Sequence, residues 1–263
     1  MDLSYWQKQT ASEPLFPDIE WNRPQRRDLA GKLAIIGGNK LGFAAAAESY
    51  QTAKELEIGE ARVLLPDALS KSIPASMSDV VFASTNLSGG LAKEATTEIN
   101  SLENWADTIL LCGDSGKNSQ TATLYEELAK NSQQTTVITR DAIDLLQNSF
   151  PTILDNHNLV FVASFAQAQK MFKEVYYPKI LTFNMQLLQF VEAIHKFTTT
   201  YPITLCVLFK NQLLVAHGGE VVSQNWSEPM AIWRGTVAAK AACYLTWSPN
   251  APLAAISASL IKH

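Results

Sequence analysis

The chain has 263 residues, 47% apolar and 17% charged, enough to bury a large core, and it suits one α/β domain. Its formal charge of -4 excludes a general nucleic-acid binder, which needs a concentrated basic surface, and the pair Arg26 and Arg27 is too short to supply one. No run approaches the ~20 apolar residues of a membrane span, and the opening MDLSYWQKQT carries an acid and no apolar leader, so an untargeted cytoplasmic chain with no membrane partner is expected.

Residues 1–30 are interrupted by Pro14, Pro17 and Pro24 and carry Trp6, Phe16 and Trp21, which predicts an irregular arm docked through its aromatics. Residues 31–263 then read as a single domain. Lys32 to Ile36 is a buried strand, Gly37 to Gly42 (GGNKLG) a loop, and Phe43 to Glu57 a helix opening on four alanines. Strand, glycine loop and small-residue helix begin a doubly wound unit, and Ala61 to Leu65 completes its βαβ step before Pro66.

Val80 to Ala83 is β-like and Leu91 to Leu102 has helical spacing. The alternation then sharpens. Strands are predicted at Thr108 to Cys112, Thr135 to Ile138 and Leu159 to Ala163, with helices at Gln120 to Ala129, Asp141 to Leu146, Ala166 to Val175 and Met185 to Phe197. Ile203 to Phe209 and Leu213 to Ala216 are further strands, and Met230 to Trp247 holds a helix rich in alanine. Repeated strand and helix alternation predicts a mostly parallel central sheet covered on both faces, a three-layer αβα architecture.

The candidate sites lie where strands end. GGNKLG brings Gly38 and Asn39 to the start of a helix, where free N–H groups and the helix dipole favour an anion. It lacks the third-position glycine of a dinucleotide fingerprint, and a tight turn is the plain alternative. GDSGKNS, from Gly113, fails the P-loop pattern at Leu111 and Asn118, which leaves a glycine loop at the end of a central strand. Asp141 starts a helix, where capping is the commonest role of an aspartate and a ligand contact the alternative. Lys210 ends an apolar strand, where it can snorkel to solvent or meet a phosphate. Trp233, Arg234, Gly235 and Thr236 form the lead-in to the alanine helix.

His157, His195, His217 and His263 have no ligand spacing among themselves or with the cysteines, so no metal site is expected. Cys112, Cys206 and Cys243 sit in apolar or small-residue runs and read as buried free thiols.

Taken in order, these segments resemble the ribokinase-like superfamily, and within it the ADP- or ATP-dependent NAD(P)H-hydrate dehydratases. The stretch from Gly31 to Pro66 looks like that family's opening strand, Gly-Gly-Ser loop, alanine-rich helix and second strand. ADTILLCGDSG is similar to its A-D-x-I-x-x-G-P-G-x-G segment, and TTVITRDAIDLL to the strand ending in D-A-D-A-L, with Asp141 at the second aspartate. The resemblance implies a nucleotide-repair lyase using ADP or ATP with Mg, an adenine nucleotide and an NAD(P)H hydrate as ligands, and a homo-oligomer.

The same comparison exposes departures. GDSGK stands for G-P-G-x-G, Thr139 for the first aspartate, and ASFAQA for T-P-H-x-G-E. WRGT stands for G-[ST]-G-D, which places Thr236 at the catalytic aspartate and Trp233 at the first glycine of the anion hole. Threonine is no base near neutral pH, and loss of a positioned base forfeits about 10²- to 10⁴-fold in rate. Three readings follow. The chain is a relative without the standard catalysis, kept as a nucleotide-binding or structural protein; or it is an active dehydratase or small-molecule kinase with another base and Arg234 as phosphate clamp. The third is an interaction module presenting Trp6, Trp21 and the segment from Val175 to Phe183. By resemblance, Gly235 and Lys210 fall to the nucleotide, and Gly38, Asn39, Gly113 and Asp141 to the substrate.

Overall fold

The strand runs carry apolar side chains at consecutive positions, so each needs cover on both faces; a computed structural model, describing residues 3–261, shows how it is supplied. The strands are Trp6–Gln9 (β1), Lys32–Gly37 (β2), Glu60–Pro66 (β3), Val80–Ala83 (β4), Thr108–Gly113 (β5), Thr135–Thr139 (β6), Leu159–Ser164 (β7), Thr204–Phe209 (β8), Gln212–His217 (β9) and Glu220–Asn225 (β10). They form one 10-stranded sheet in the order β1-β10-β9-β8-β7-β6-β5-β2-β3-β4. Among the described strands only β9 runs against its neighbours. His263, weighed above as a possible ligand, lies outside the described residues, as do Met1, Asp2 and Lys262.

The helices are Ala44–Glu55 (α1), Thr96–Trp105 (α2), Ser119–Asn131 (α3), Asp141–Leu145 (α4), Phe150–Ile153 (α5), Phe165–Glu174 (α6), Leu187–Thr200 (α7), Pro229–Arg234 (α8), Thr236–Trp247 (α9) and Pro252–Ser259 (α10). Alternate residues of each strand serve opposite layers. Ile36, Leu111, Ile138, Phe161 and Leu205 join the core beneath α2 to α7. Leu33, Ile35, Leu110, Val137, Val160 and Cys206 join the core beneath α1, α9 and α10. In that second layer Ala238, Ala239, Ala241 and Ala242 are fully buried, and α9 packs on β5, β6, α1 and α10. Cys112, Cys206 and Cys243 are buried and free, and burial pushes the Cys206 and Cys243 thiols up to about 12. Among the described residues no helix is long and apolar enough to cross a membrane.

Local features differ from expectation, and β10 and α10 lie where no element was expected. Part of the expected irregular arm is a strand: β1 pairs in parallel with β10, Trp6 opposite Val221. Its residues WQKQ show no apolar alternation because side-chain hydrogen bonds anchor it, from Trp6 Nε1 to Ser223 Oγ (2.8 Å) and from Gln9 Nε2 to Gln224 Oε1 and the Ser257 carbonyl (2.8 Å each). Trp6 and Phe16 pack on the cores, whereas Trp21 is 85% exposed. The helix expected from Leu91 starts at Thr96, since Lys93–Ala95 make a tighter single turn first, with Leu91, Ala92 and Ala95 buried and Lys93 and Glu94 exposed. The segment from Met230 to Trp247 is two helices, broken where Gly235 takes φ 93, a left-handed conformation that terminates α8.

His217 closes β9 and its Nδ1 lies 2.9 Å from Thr204 Oγ1. Burial lowers its pKa below the ordinary 6.5, opposed by the nearby Glu220 charge. The unfolded chain therefore takes up this proton at a higher pH than the folded one, and stability falls as pH drops through about 6.5. Denaturant midpoints measured from pH 7.5 to 5 should decline in the wild type, and His217→Gln should flatten that slope.

Candidate functional site

From β2 the chain winds outward to β3 and β4, then returns to build β5, β6, β7 and β8 on the other side. The loops after β2 and β5 therefore diverge at their carboxyl ends, leaving a crevice at the topological switch point where open α/β sheets place ligands. The two strand ends lie close together, with the Gly38 N–H donating to the Gly113 carbonyl at 2.9 Å. Gly38 and Gly113 have φ 82 and 89, and both conformations require glycine. Asn39 is buried, its Oδ1 accepting from the Leu41 N–H of its own loop (3.1 Å) and its Nδ2 donating across to the Ser88 carbonyl of the loop after β4 (3.1 Å).

Three charged side chains meet above this crevice. Asp114 Oδ2 accepts from the Ala45 N–H at 2.8 Å, in the first turn of α1, a helix with no side-chain cap from its own N-cap residue Phe43. The carboxylate thus sits where a helix N-terminus favours a bound anion. Its other oxygen is ion-paired with the Arg140 guanidinium, which also donates to the Trp233 carbonyl at the end of α8. Asp141 opens α4 without capping it. Its Oδ2 accepts from the Ser115 and Gly116 N–H groups at 2.9 and 3.1 Å, folding the GDSG loop back on the sheet, while Oδ1 is sealed from solvent without a partner. Burial pushes its pKa up, partly offset by the Gly116 amide. Asp114, Arg140 and Lys210 follow β5, β6 and β8 at φ 56, 56 and 55, a conformation costly for non-glycine residues and one that clusters at functional sites.

The α8–α9 junction borders the same edge. Thr236 Oγ1 donates to the Ala231 carbonyl at 3.0 Å, and the Gly235 N–H is shared between the Ala231 and Ile232 carbonyls at 3.2 Å. Trp233 and Arg234, expected in a loop, belong to the helix; Arg234 is exposed and forms no ion pair among the described residues. Trp233 is 54% exposed and walls a cleft of about 390 Å³ with Phe165, Phe183, Phe209, Ile232 and Lys210. Lys210 Nζ donates to the Met185 carbonyl at 3.0 Å and lies 5.0 Å from the Phe209 ring centre.

Of the sequence candidates, Gly113, Asp141 and Gly235 converge on Arg140, Gly38 and Asn39 shape the adjoining loop, and Lys210 lies in the neighbouring cleft. Asp114 and Arg140, which join these pieces, were not singled out from the sequence. Their only signal was position: each is the first charged residue after a central strand. Among the described residues no group of three or more His, Cys, Asp or Glu could hold a metal ion.

No protein-family model matches the chain, and no curated protein matches its sequence significantly. Solved structures do match. A ribokinase-like superfamily protein from Enterococcus faecalis V583 superposes with a TM-score of 0.73 at 16% identity, over 99% of this chain and 87% of that one. The ADP/ATP-dependent NAD(P)H-hydrate dehydratase from Bacillus subtilis, co-crystallised with ATP/Mg2+, gives 0.62 at 10% identity, over 92% and 84%. Phosphomethylpyrimidine kinase from Clostridium difficile 630 gives 0.53 at 10% identity, over 88% and 97%. The fold is ribokinase-like. Within this ribokinase-like frame the crevice between β2 and β5 holds an internal ion pair, and the α9 N-terminus carries a threonine hydroxyl already engaged by backbone.

A methyl group at Gly113 would stand 2.5 Å from Asp141 Oδ1 and 2.9 Å from Arg140 Cβ, at a φ of +89. Gly113→Ala should therefore cost about 3 kcal/mol, from backbone strain and overpacking together. A denaturant midpoint lowered at unchanged m-value is the expected readout, and a wild-type midpoint would show that the loop relaxes freely.

Proposed function

We propose that this ribokinase-fold chain binds an adenine nucleotide at the edge formed by β7, β8 and α8, and does not catalyse phosphoryl transfer or hydrate repair through position 236. The observation that carries the reading is the Thr236 hydroxyl donating to the Ala231 carbonyl. A threonine hydroxyl does not ionise near neutral pH and is too weak a base to take the proton of a substrate hydroxyl, and its own proton is already committed to backbone of the preceding helix. Loss of a general base accounts for about 10²- to 10⁴-fold.

Binding is a separate matter from catalysis. The cleft of about 390 Å³ beside Trp233 has aromatic walls from Phe165, Phe183 and Phe209, which suit a planar base, and the Lys210 ammonium at its rim. The first-turn N–H groups of α9 lack intrahelical acceptors and suit phosphate oxygens, with exposed Arg234 at the end of the preceding helix. ATP with Mg was present in crystals of the B. subtilis dehydratase of the same fold. In this chain, lacking a cluster of metal-binding side chains among the described residues, magnesium would arrive on the nucleotide's own phosphates and neutralise their charge.

Thermal unfolding with AMP, ADP, ATP, NADH and NADPH, with and without magnesium, tests the binding claim. A nucleotide at a hundred times its dissociation constant should stabilise the fold by about 2.7 kcal/mol. Thr236→Asp should retain that shift and gain no phosphoryl transfer, because Trp233 and the Arg140 contact to its carbonyl remain in place. Turnover by the single variant, or the absence of any nucleotide shift in the wild type, would each overturn the corresponding half of the proposal.

A further inference from the structure

We propose that Arg140 is the oxyanion-binding group of the β2/β5 crevice and that Asp114 is its built-in competitor, so that a ligand phosphoryl or carboxylate group enters by replacing the Asp114 carboxylate. This goes beyond nucleotide binding in the Trp233 cleft and stands even if no nucleotide binds there.

Four observations converge on it. Asp114 makes the contacts expected of a bound oxyanion, accepting from the Ala45 N–H at 2.8 Å with one oxygen and pairing with a guanidinium with the other. The two side chains are only 24% and 21% exposed, so the pair is mostly withdrawn from water, where charge-assisted contacts are strong. Arg140 has a further donor, Nε, shielded and without a partner, so its fork is not saturated by the contacts present. Asp114 itself sits at φ 56, between Gly113 and Gly116 at φ 89 and 75. A strained residue flanked by glycines is held by its contacts rather than by its backbone, and it can swing aside when those contacts are taken over.

Arg140 does not share that freedom. Its guanidinium is tied to the Trp233 carbonyl, and its own carbonyl accepts from Gln167 Nε2 at 2.8 Å, on a side chain fixed by the Ser164 capping box. The cation stays while the carboxylate is free to leave. Among the described residues Asp141 also faces the guanidinium; its Oδ2 is occupied by two amide donors, while its shielded Oδ1 has no hydrogen-bond partner and stays beside Arg140 whether or not Asp114 is displaced.

An internal competitor lowers apparent affinity by the fraction of molecules in which it is displaced; for a ten per cent open population that is about tenfold. Removing the competitor returns the factor. Inorganic phosphate, and separately malonate, should be titrated into wild type, Asp114→Asn and Asp114→Ala at constant ionic strength with chloride as control, reading melting temperature and, for phosphate, 31P line broadening. The two variants should bind at least one of these anions about tenfold more tightly than wild type, and Arg140→Gln on the Asp114→Asn background should abolish the gain. Phosphate and malonate distinguish a phosphoryl from a carboxylate ligand. Equal affinities in wild type and both variants, or a gain that survives Arg140→Gln, would overturn the assignment. Should Asp114→Ala be unfolded in chloride, recovery of its folded circular dichroism on adding either anion supports the proposal and failure to recover with both counts against it. Loss of the nucleotide shift with the anion gain intact would dispose of the Trp233 cleft alone.

Discussion

The close approach of α9 to the sheet sets the positions on which the site depends. Alanines at 238, 239, 241 and 242 lose no side-chain entropy on burial and let the helix backbone settle against β5 and β6. A helix placed this closely has little freedom to slide, so its N-terminus is fixed beside the carboxyl ends of those strands. Gly235 then falls near Arg140: a Cβ there would lie 3.5 Å from the Arg140 Cδ. The left-handed turn at Gly235 folds α8 back toward the same edge and brings the Trp233 carbonyl within reach of the guanidinium. Packing in the second layer thereby determines an electrostatic contact at the edge of the sheet.

That contact is costly to bury and needs its partners. A guanidinium and a carboxylate withdrawn from water recover their desolvation only with good geometry and further hydrogen bonds. Arg140 has the Trp233 carbonyl and Asp114 has the Ala45 amide, so each ion answers to a second element as well as to the other. The pair joins the loops after β5 and β6 to the start of α1 and the end of α8. These contacts hold Asp114 and Arg140 in backbone conformations that are costly for non-glycine residues.

The frame of the fold was legible because its central strands are continuous apolar runs and its glycine loops punctuate them. Ile36, Leu111 and Ile138 could be assigned to buried strands from their neighbours alone. β1 was hidden, because WQKQ owes its place to Gln9 and Trp6 hydrogen bonds with residues more than two hundred positions away, which no periodicity records. The site was hidden for a related reason. Asp114 and Arg140 are 26 residues apart and become neighbours only when β5 and β6 pair. Asp141 was visible as the acid opening a helix, yet its role depends on where the GDSG loop folds, and the resemblance to D-A-D-A-L says nothing about that loop once GDSGK has replaced G-P-G-x-G.

The substitutions that distinguish this chain from the pattern it resembles act together. Two helix N-termini converge on the strand ends, those of α1 and α9, and each presents partial positive charge. At α1 the charge is met by an acid from the chain itself, Asp114. At α9 the N-cap is Gly235, with no side-chain cap and no acid in the first turn, and Thr236 turns its hydroxyl to the Ala231 carbonyl instead. An acid beside α9 could act on a ligand held there; an acid clamped between α1 and Arg140 is a ligand itself. What a site can do is set by where its charges are committed and not by the sheet that carries them.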